Sequence, residues 1–427
     1  MGSPGGAAPP GSAGAAAASV LEVAPGEDAE ELFFRLGYTD GLPVLLPTRA
    51  RVRAMLRGTA LGAGDVLGRC PPSLAEVTVE KLAIAAVMAG CTPEMFRIVV
   101  AAAKAMLLPE FGLHPTKKKL HATTMGATPV VVVNGPCRHA AAVNFRHGAC
   151  GSGSRSTSIG RALKLLVQNV GRSKLAGTES TTIGTPMKFG LCFAEWEERC
   201  GAWEPLSVAQ GGAGRGEDAV TVMAASSGPV QLVDFFSGPW ELVRLLGHHL
   251  AGTYSPSTPL VNNCLLVISP EHYDTLLKAG MDSKQKLARA LWKESSRHMV
   301  RHLPAILVRL GKLRASRVPS FVFRALGCTL AAVGFFMSCL GRPPTLIPKY
   351  NSPESFQIVV AGGEAGKFSS LMPGFGVGRA PMSTADMSRP VTARVEARPA
   401  ALDAAPPPSG HHAGGAPGDL LRPGPEA

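Results

Sequence analysis

A glycine loop that contains a cysteine runs directly into a basic amphipathic helix over residues 147–171. Glycines let the backbone approach a ligand, hydroxyl side chains can cap a helix, and an arginine adds positive charge beside the unpaired N–H groups of the first turn. The residues predicted to bind a ligand here are Gly151, Gly153, Arg155, Ser156 and Thr157. The pattern predicts a site for an anionic group; the alternative is a capped surface helix behind a flexible loop.

Three of the nine cysteines could supply a nucleophile. Cys150 precedes the glycine loop, and Arg146 and Arg155 lie close to it in sequence. Their positive charge would favour the thiolate, so the pKa of Cys150 is predicted to lie below the ~8.5 of a free cysteine. Cys91, at a predicted helix start, is the second candidate and Cys192, on a predicted strand, is the third. The alternative for each cysteine is an inert, buried side chain.

Charged residues beside a predicted strand could take part in the same chemistry. Residues 187–194 alternate in character, which predicts a strand with Lys188 and Cys192 on one face. Glu195 follows this strand within a cluster of three glutamates, where a carboxylate could serve as an acid, a base or a metal ligand. The alternative is a solvated cluster. No metal site is predicted, because the cysteines and histidines lack clustered ligand spacing.

A second glycine loop lies within the run IVVAGGEAGKFS at 358–369 and contributes Gly362, Gly363 and Lys367. A phosphate loop would need glycine in place of Ala361 and a hydroxyl residue in place of Phe368, so nucleotide hydrolysis is disfavoured. Ligands of layered α/β sheets bind at the carboxyl ends of strands. We therefore expect this loop to close over the same cleft as the first.

Hydrophobic periodicity predicts the elements that position these residues. The apolar residues of 159–170 recur with helical spacing, and Gly171 suits the helix C-terminus. Helices are also predicted over 79–89 and 93–108, and strands over 130–133, 219–224, 265–269 and 357–361. The expected fold class is α/β, or α+β, with a layered mixed sheet and packed helices. No internal sequence repeat is evident.

Composition divides the chain into five regions. The expected main domain covers 27–282, and 344–378 completes its core. Residues 1–26 and 379–427 are rich in Ala, Gly and Pro, which predicts disordered tails. Residues 283–343, between the main domain and residues 344–378, are expected to be an insert. It begins with a helix over 284–303 and contains an uncharged run at 325–341, for which a buried helix is favoured over a membrane span of about 20 residues.

Charge and cysteine usage limit the partners and the compartment. The net charge is +12, but residues 283–324 hold eleven basic side chains and one acidic side chain, so the rest of the chain is nearly neutral. No nucleic-acid partner is therefore expected, and membrane contact is disfavoured. The nine cysteines form no C-x-x-C pair, which favours reduced thiols and an intracellular location, cytoplasmic unless the chain is directed to an organelle.

Several runs of the chain resemble one family. They are DGLPVLLPT at 40–48, TVEKLAIAAVMAGC at 78–91, VVNGP at 132–136, IGRALKLLVQNVG at 159–171, KFGLCFAEWEE at 188–198, WEPL at 203–206 and the 358–369 run. Together they resemble the UGSC family of selenoprotein-related proteins, which is named for a Sec-Gly-Ser-Cys motif. The resemblance implies thiol-based or selenol-based reductive chemistry. Cys150, Gly151 and Ser152 match three motif positions if cysteine replaces selenocysteine, but Gly153 stands where the second thiol would be.

The sequence thus favours an enzyme that uses the Cys150 thiolate on a small anionic substrate, in a reductive or lyase step. The alternative is a non-catalytic protein that binds an anionic metabolite through its glycine loops and docks a partner through its basic segment. The pattern identifies no cofactor, and it leaves open whether the chain forms a homo-oligomer.

Overall fold

A computed structural model describes residues 20–113, 124–151, 154–175, 177–255, 261–298, 346–375, 388–402 and 420–421. The helices are α1 Ala29–Arg35, α2 Arg49–Leu56, α3 Val79–Ala89, α4 Pro93–Leu107, α5 Cys137–Ala140, α6 Thr157–Asn169, α7 Leu206–Ala209, α8 Pro239–Ala251, α9 Pro270–Lys278 and α10 Lys284–Ser295. The strands are β1 Val20–Leu21, β2 Val66–Cys70, β3 Ala75–Thr78, β4 Thr128–Asn134, β5 Leu191–Ala194, β6 Ala219–Ala225, β7 Val230–Val233, β8 Cys264–Ile268, β9 Arg297–His298, β10 Leu346–Ile347, β11 Phe356–Val360, β12 Phe368–Pro373, β13 Val391–Arg394 and β14 Leu420–Leu421.

Local capping rules determine the boundaries of α3 and α4. The Thr78 side chain accepts a hydrogen bond from the Lys81 amide at the start of α3, and Gly90 ends the helix in the left-handed region at φ +85°. Pro93 then occupies the first turn of α4, where its missing N–H costs nothing. The predicted boundaries of both helices are confirmed to within one residue.

The two main sheets are both mixed and have the same layout. The first has the order β13-β6-β4-β5, and the second has the order β7-β12-β8-β11. In each sheet two neighbouring strands run parallel, β4 with β5 and β8 with β11, and the other neighbours are antiparallel. Helices join the strands of each parallel pair, α5 and α6 in one sheet and α9 and α10 in the other. The two sheets thus share one arrangement of strand directions, which the sequence does not reveal.

The buried side chains show how these sheets are layered. Alternate β4 residues face opposite ways: Val131 packs with α3, α4 and α6, while Val132 joins a core shared with Val267 and Val359 of the second sheet. Leu266, on the other face of the second sheet, packs with residues of α8, α9 and α10. The chain therefore forms four layers, helix, sheet, sheet, helix. The α/β class is confirmed, with two stacked mixed sheets.

The predicted strand over 187–194 is wrong in its first half. Residues Pro186–Phe189 form a 3₁₀ turn, and only Leu191–Ala194 pair with β4. Gly190 separates the two parts at φ +120°, and a Cβ at this position would lie 2.2 Å from the backbone nitrogen of Arg161. The alternation is broken because the chain must pass the backbone of α6 closely. Lys188 and Cys192 consequently do not share a strand face.

The predicted insert and C-terminal tail need correction where they are described. Helix α10 ends at Ser295 and packs on α8, where the backbone of Gly247 meets Glu294, so the start of the insert belongs to the core. Strand β13 forms an edge of the first sheet, and Leu402 is buried. The tail predictions therefore fail for residues 388–402, and also for Val20–Leu21 and Leu420–Leu421, which pair with each other. The apolar run 325–341 and residues 1–19 lie outside the described residues, and no helix within the described part is long and apolar enough to cross a membrane.

Candidate functional site

The two predicted glycine loops meet at the carboxyl ends of the parallel strands. The Trp196 amide after β5 donates to the Val360 carbonyl at the end of β11, at 2.8 Å. The Gly362 amide donates to the Phe145 carbonyl at 3.0 Å, and a Cβ on Gly363 would lie 2.3 Å from Nδ1 of His147. The second loop therefore lies against the residues just before the first loop, and the predicted closure of both loops over one cleft stays a prediction. Lys367, at the far end of the second loop, donates to the Phe235 carbonyl at 3.1 Å.

At the start of α6, one of the residues predicted to bind an anion is engaged in contacts within the loop, and the anion site itself stays a prediction. Ser156 is 2% exposed, and its hydroxyl accepts from the Asn144 amide at 3.2 Å and hydrogen-bonds with the Ser154 hydroxyl. It makes no capping hydrogen bond to the helix that begins at Thr157. Arg155 and Gly151 are exposed, Thr157 is partly buried, and Gly153 lies outside the described residues. The Ser156 hydroxyl is therefore used to shape the loop.

The predicted thiolate character of Cys150 is wrong. Cys150 is half-buried and packs against the core between the two sheets. This burial raises its pKa to about 12. Arg146, expected to lower that pKa, instead stacks over the Trp196 ring with its guanidinium carbon 4.6 Å from the centroid.

The other two candidate cysteines are also poor nucleophiles. Cys91 is 9% exposed, and burial raises its pKa to about 12 despite the opposing charge of Arg161. Cys192 is fully buried on the helix-facing side of the first sheet, and burial raises its pKa well above the usual value. No described cysteine therefore has the low pKa that the thiolate hypothesis requires.

Glu195 is fully buried, and both of its carboxylate oxygens have hydrogen-bond partners. Its Oε1 pairs with Nζ of Lys284 from α10, while its Oε2 accepts from Nδ2 of Asn134 at 2.9 Å and from the Leu206 amide at 2.6 Å. One positive charge faces one negative charge, and both oxygens have partners. This cluster joins the first sheet to a helix of the fourth layer, which is a structural role.

A shallow cavity of about 420 Å³ lies beside the first glycine loop. Its basic lining residues are Arg138, His139, Arg146 and His147. Arg138 is 3% exposed and pairs with Glu197 and Glu198, so acidic neighbours balance much of the basic charge. Its Nε has no hydrogen-bond partner among the described residues. The cavity could accept a small polar group but holds little excess charge.

A larger pocket of about 710 Å³ lies between α6 and the turn that precedes β5, and we name it the lysine pocket. Lys164 projects from α6 and Lys188 from the 3₁₀ turn. Both contact Glu179: Nζ of Lys164 lies 3.0 Å from Oε2, and Nζ of Lys188 pairs with Oε1. Lys188 also donates to the Thr181 hydroxyl at 3.0 Å. Two ammonium groups thus share one carboxylate.

The electrostatics of this trio follow from burial and proximity. Glu179 is 2% exposed, and burial alone would raise its pKa, but the charge of Lys164 and hydrogen bonds from Lys188, Lys164 and Thr181 lower it to about 2. Burial lowers the pKa of Lys188, and Lys164 adds to this effect, although Glu179 opposes it. Perturbed groups beside a concave pocket are typical of functional sites.

The remaining walls of the lysine pocket are mainly apolar. Apolar contacts come from Phe34, Leu175, Ile183, Pro186 and Phe189. Asp40 also lines the pocket, but Arg161 binds it in a bidentate pair with contacts of 2.7 and 2.9 Å, which neutralises its charge. Lys174 adds an exposed ammonium at the rim. The pocket thus combines an apolar body with an excess of positive charge.

Sequence reasoning selected Lys188 but missed its partners Lys164, Glu179 and Asp40. The helical spacing of 159–170 puts Lys164 on the side opposite the apolar residues, where a solvated face is the ordinary expectation. In the structure that side is covered, because Arg161 binds Asp40 and Gln168 donates to the Thr39 carbonyl at 2.6 Å. Glu179 lies in a loop without periodicity, and no local signal indicates it.

No protein-family model matches this chain, and neither the curated proteins nor the solved structures contain a match. Across the part of the chain that the structure describes, no three His, Cys, Asp or Glu residues come together as a metal-binding group.

Proposed function

We propose that this protein binds a small molecule with an apolar body and one anionic head, such as a carboxylate, in the lysine pocket. The observation that carries the proposal is the imbalance at Glu179, where one buried carboxylate faces two largely buried ammonium groups. Placing an unpaired charge in a protein interior is costly, so an anion that enters beside the lysines is stabilised. Both lysines line the lysine pocket, so the surplus charge is within reach of a ligand that binds there.

Hydrogen-bond capacity supports the same proposal. Each lysine ammonium carries three N–H donors. Among the described residues, Lys188 uses two of them, on Glu179 and Thr181, and Lys164 uses one, on Glu179. The pocket therefore retains donors for a carboxylate. Its volume of about 710 Å³ and its apolar walls are typical of pockets for small organic ligands.

The thiol-dependent enzyme predicted from the sequence has weaker support, because burial raises the pKa of Cys150 to about 12. The resemblance to the UGSC family stays a proposal, and a disulfide-forming cycle within the motif would need a second thiol where Gly153 stands. An intracellular location also stays part of the proposal. It is supported by seven described cysteines that are free thiols, namely Cys70, Cys91, Cys137, Cys150, Cys192, Cys200 and Cys264.

Calorimetry with two matched probes tests the binding proposal. Phenylpropionate combines a phenyl body with a carboxylate, and phenylpropionamide has nearly the same shape without the charge. We expect the full-length protein to bind the acid and to bind the amide at least about tenfold more weakly, since one charge-assisted hydrogen bond contributes roughly 1.5–3 kcal/mol. Equal affinity for both probes, or binding of neither, would remove the lysine pocket as an anion site.

A lysine outside the pocket supplies the matched control. Lys286 is an exposed α10 residue that pairs with Asp282, and Lys286→Met removes the same charge as Lys164→Met does. Only Lys164→Met should weaken binding of phenylpropionate. If both variants weaken it equally, the effect comes from the net charge of the protein.

A further inference from the structure

We infer that Lys188 is a carbonyl-reactive amine, and that the lysine pocket takes an α-oxo acid with an apolar side chain. The keto carbon of that ligand would form an imine with Nζ of Lys188, while Lys164 holds the carboxylate. This inference rests on the proposed function, because it names the class of anion that the pocket binds.

The geometry places two nitrogens where such a ligand needs them. Nζ of Lys164 and Nζ of Lys188 contact different oxygens of the same Glu179 carboxylate, so the two ammonium groups are close neighbours. In an α-oxo acid the carbonyl and the carboxylate are on adjacent carbons. Lys188 can therefore contact the carbonyl while Lys164 contacts the carboxylate, and the side chain of the ligand then lies against Ile183 and Phe189.

Lysine reacts with a carbonyl only as the neutral amine, and the surroundings of Lys188 favour that form. Burial lowers its pKa from the usual value near 10.5, and the Lys164 charge acts in the same direction. Desolvation and a second cation are the two devices by which proteins activate a lysine for imine formation. Glu179 opposes them, but Lys164 keeps this carboxylate paired when Lys188 gives up its proton.

The chemical step balances without an oxidant or a reductant. The neutral amine attacks the keto carbon and forms a C–N bond, and the carbonyl oxygen takes up two protons and leaves as water. One of those protons comes from the attacking nitrogen and the other from the Lys164 ammonium, which the proton released by Lys188 then restores. Overall, one ammonium group and one ketone give one protonated imine and one water molecule, so charge is conserved.

Reductive trapping tests this inference. The full-length protein is incubated with phenylpyruvate at pH 7, reduced with borohydride, digested and mapped by peptide mass spectrometry. We expect a secondary-amine adduct on Lys188 in preference to every other lysine. Lys188→Arg should abolish this adduct, because a guanidinium keeps the charge but forms no imine, whereas Lys286→Arg should leave it unchanged.

The pH profile adds a readout that mere proximity would not produce. Besides the trio, the charged groups around Lys188 are Lys174 at the rim and the neutralised Asp40. Since the pKa of Lys188 is lowered, the trapping rate should level off at a lower pH than expected for a lysine with the usual pKa near 10.5. A trapping rate that levels off only near the usual lysine value, or adducts spread evenly over surface lysines, overturns the inference.

Competition in the unaltered protein separates this inference from the proposed function and avoids reliance on a variant that could fail to fold. Phenylpropionate has no keto group, so it should bind and block trapping without reacting. If phenylpropionate binds but phenylpyruvate gives no Lys188 adduct, the imine is wrong and the anion site stands. If phenylpropionate does not bind and no adduct forms, both proposals fail.

Discussion

Two buried lysine–glutamate clusters in this molecule use the same residue types for different ends. At Glu195, one lysine faces one glutamate, and Asn134 and the Leu206 amide satisfy the remaining oxygen. At Glu179, two lysines face one glutamate, and both line a pocket. The first cluster is neutral and closed, whereas the second carries a surplus charge and unused donors. Charge balance, more than burial, distinguishes the structural cluster from the candidate site.

The largest effect on stability should follow from removing the lysine of the Glu195 cluster, which we call the balanced cluster. Lys284→Met leaves the fully buried Glu195 with neutral donors only, and removing one partner of a buried ion pair costs about 3–5 kcal/mol of stability. The free energy of unfolding from urea denaturation should fall by that amount. The exposed Lys286→Met should change it by less than about 1 kcal/mol. A stable Lys284→Met protein would show that the cluster is not structural.

The next largest effect should be a loss of stability at low pH, caused by protonation of Glu179 in the cluster with two lysines, which we call the unbalanced cluster. The pKa of Glu179 is about 2 in the folded protein and near 4.5 when unfolded, so its stabilisation is complete above the unfolded value and is lost as the pH falls toward 2. The loss is on the order of 3 kcal/mol. Glu179→Gln should therefore lose less stability between pH 5 and pH 2 than the unaltered protein. Unfolding midpoints in urea measure the difference.

The exposed Glu354 provides the control for this titration. Its pKa is also lowered, first by a hydrogen bond from Ser352, but solvent screens it. Glu354→Gln should change the acid branch of the stability profile much less than Glu179→Gln does. Equal changes would mean that the burial of Glu179 contributes nothing.

The contrast between the clusters also explains what the sequence can predict. Thr78, Gly90 and Pro93 determine helix ends through contacts within a few residues, so α3 and α4 follow from local rules. The all-β-branched run at 130–133 likewise predicts its strand. By contrast, Gly190 breaks a predicted strand only because it packs against Arg161 of α6, which is a tertiary contact.

The sites are harder to predict, because their chemistry depends on pairing and burial. Glu195 meets Lys284 across 89 positions of sequence, and no local pattern encodes that pair. Positive neighbours in sequence suggested a reactive Cys150, but its pKa follows from the core against which it packs. The alternation predicts Lys188 on a strand face, but Lys188 lies in a 3₁₀ turn and pairs with the loop residue Glu179.

Removing one lysine from the unbalanced cluster should affect binding more than stability. Lys164→Met leaves Glu179 paired with Lys188, so the cluster becomes balanced like the one at Glu195. Affinity for phenylpropionate should fall by roughly 1.5–3 kcal/mol, or about 10-fold to 150-fold, while the free energy of unfolding changes by less than that. Calorimetry and urea denaturation on the same preparation compare the two. A variant that unfolds more easily but binds normally would reverse the roles of the clusters.

The smallest effect should come from the thiol that the sequence favoured. Burial raises the pKa of Cys150 to about 12, so at pH 7 almost none of it is thiolate, and iodoacetamide should label it no faster than an ordinary cysteine. Cys150→Ser should bind phenylpropionate with unchanged affinity, because Cys150 does not line the lysine pocket. Labelling rates from pH 6 to pH 9, followed by peptide mass spectrometry, give the test. If Cys150 is instead the fastest cysteine to react and its labelling blocks phenylpropionate binding, the glycine loops would replace the lysine pocket as the centre of the chemistry.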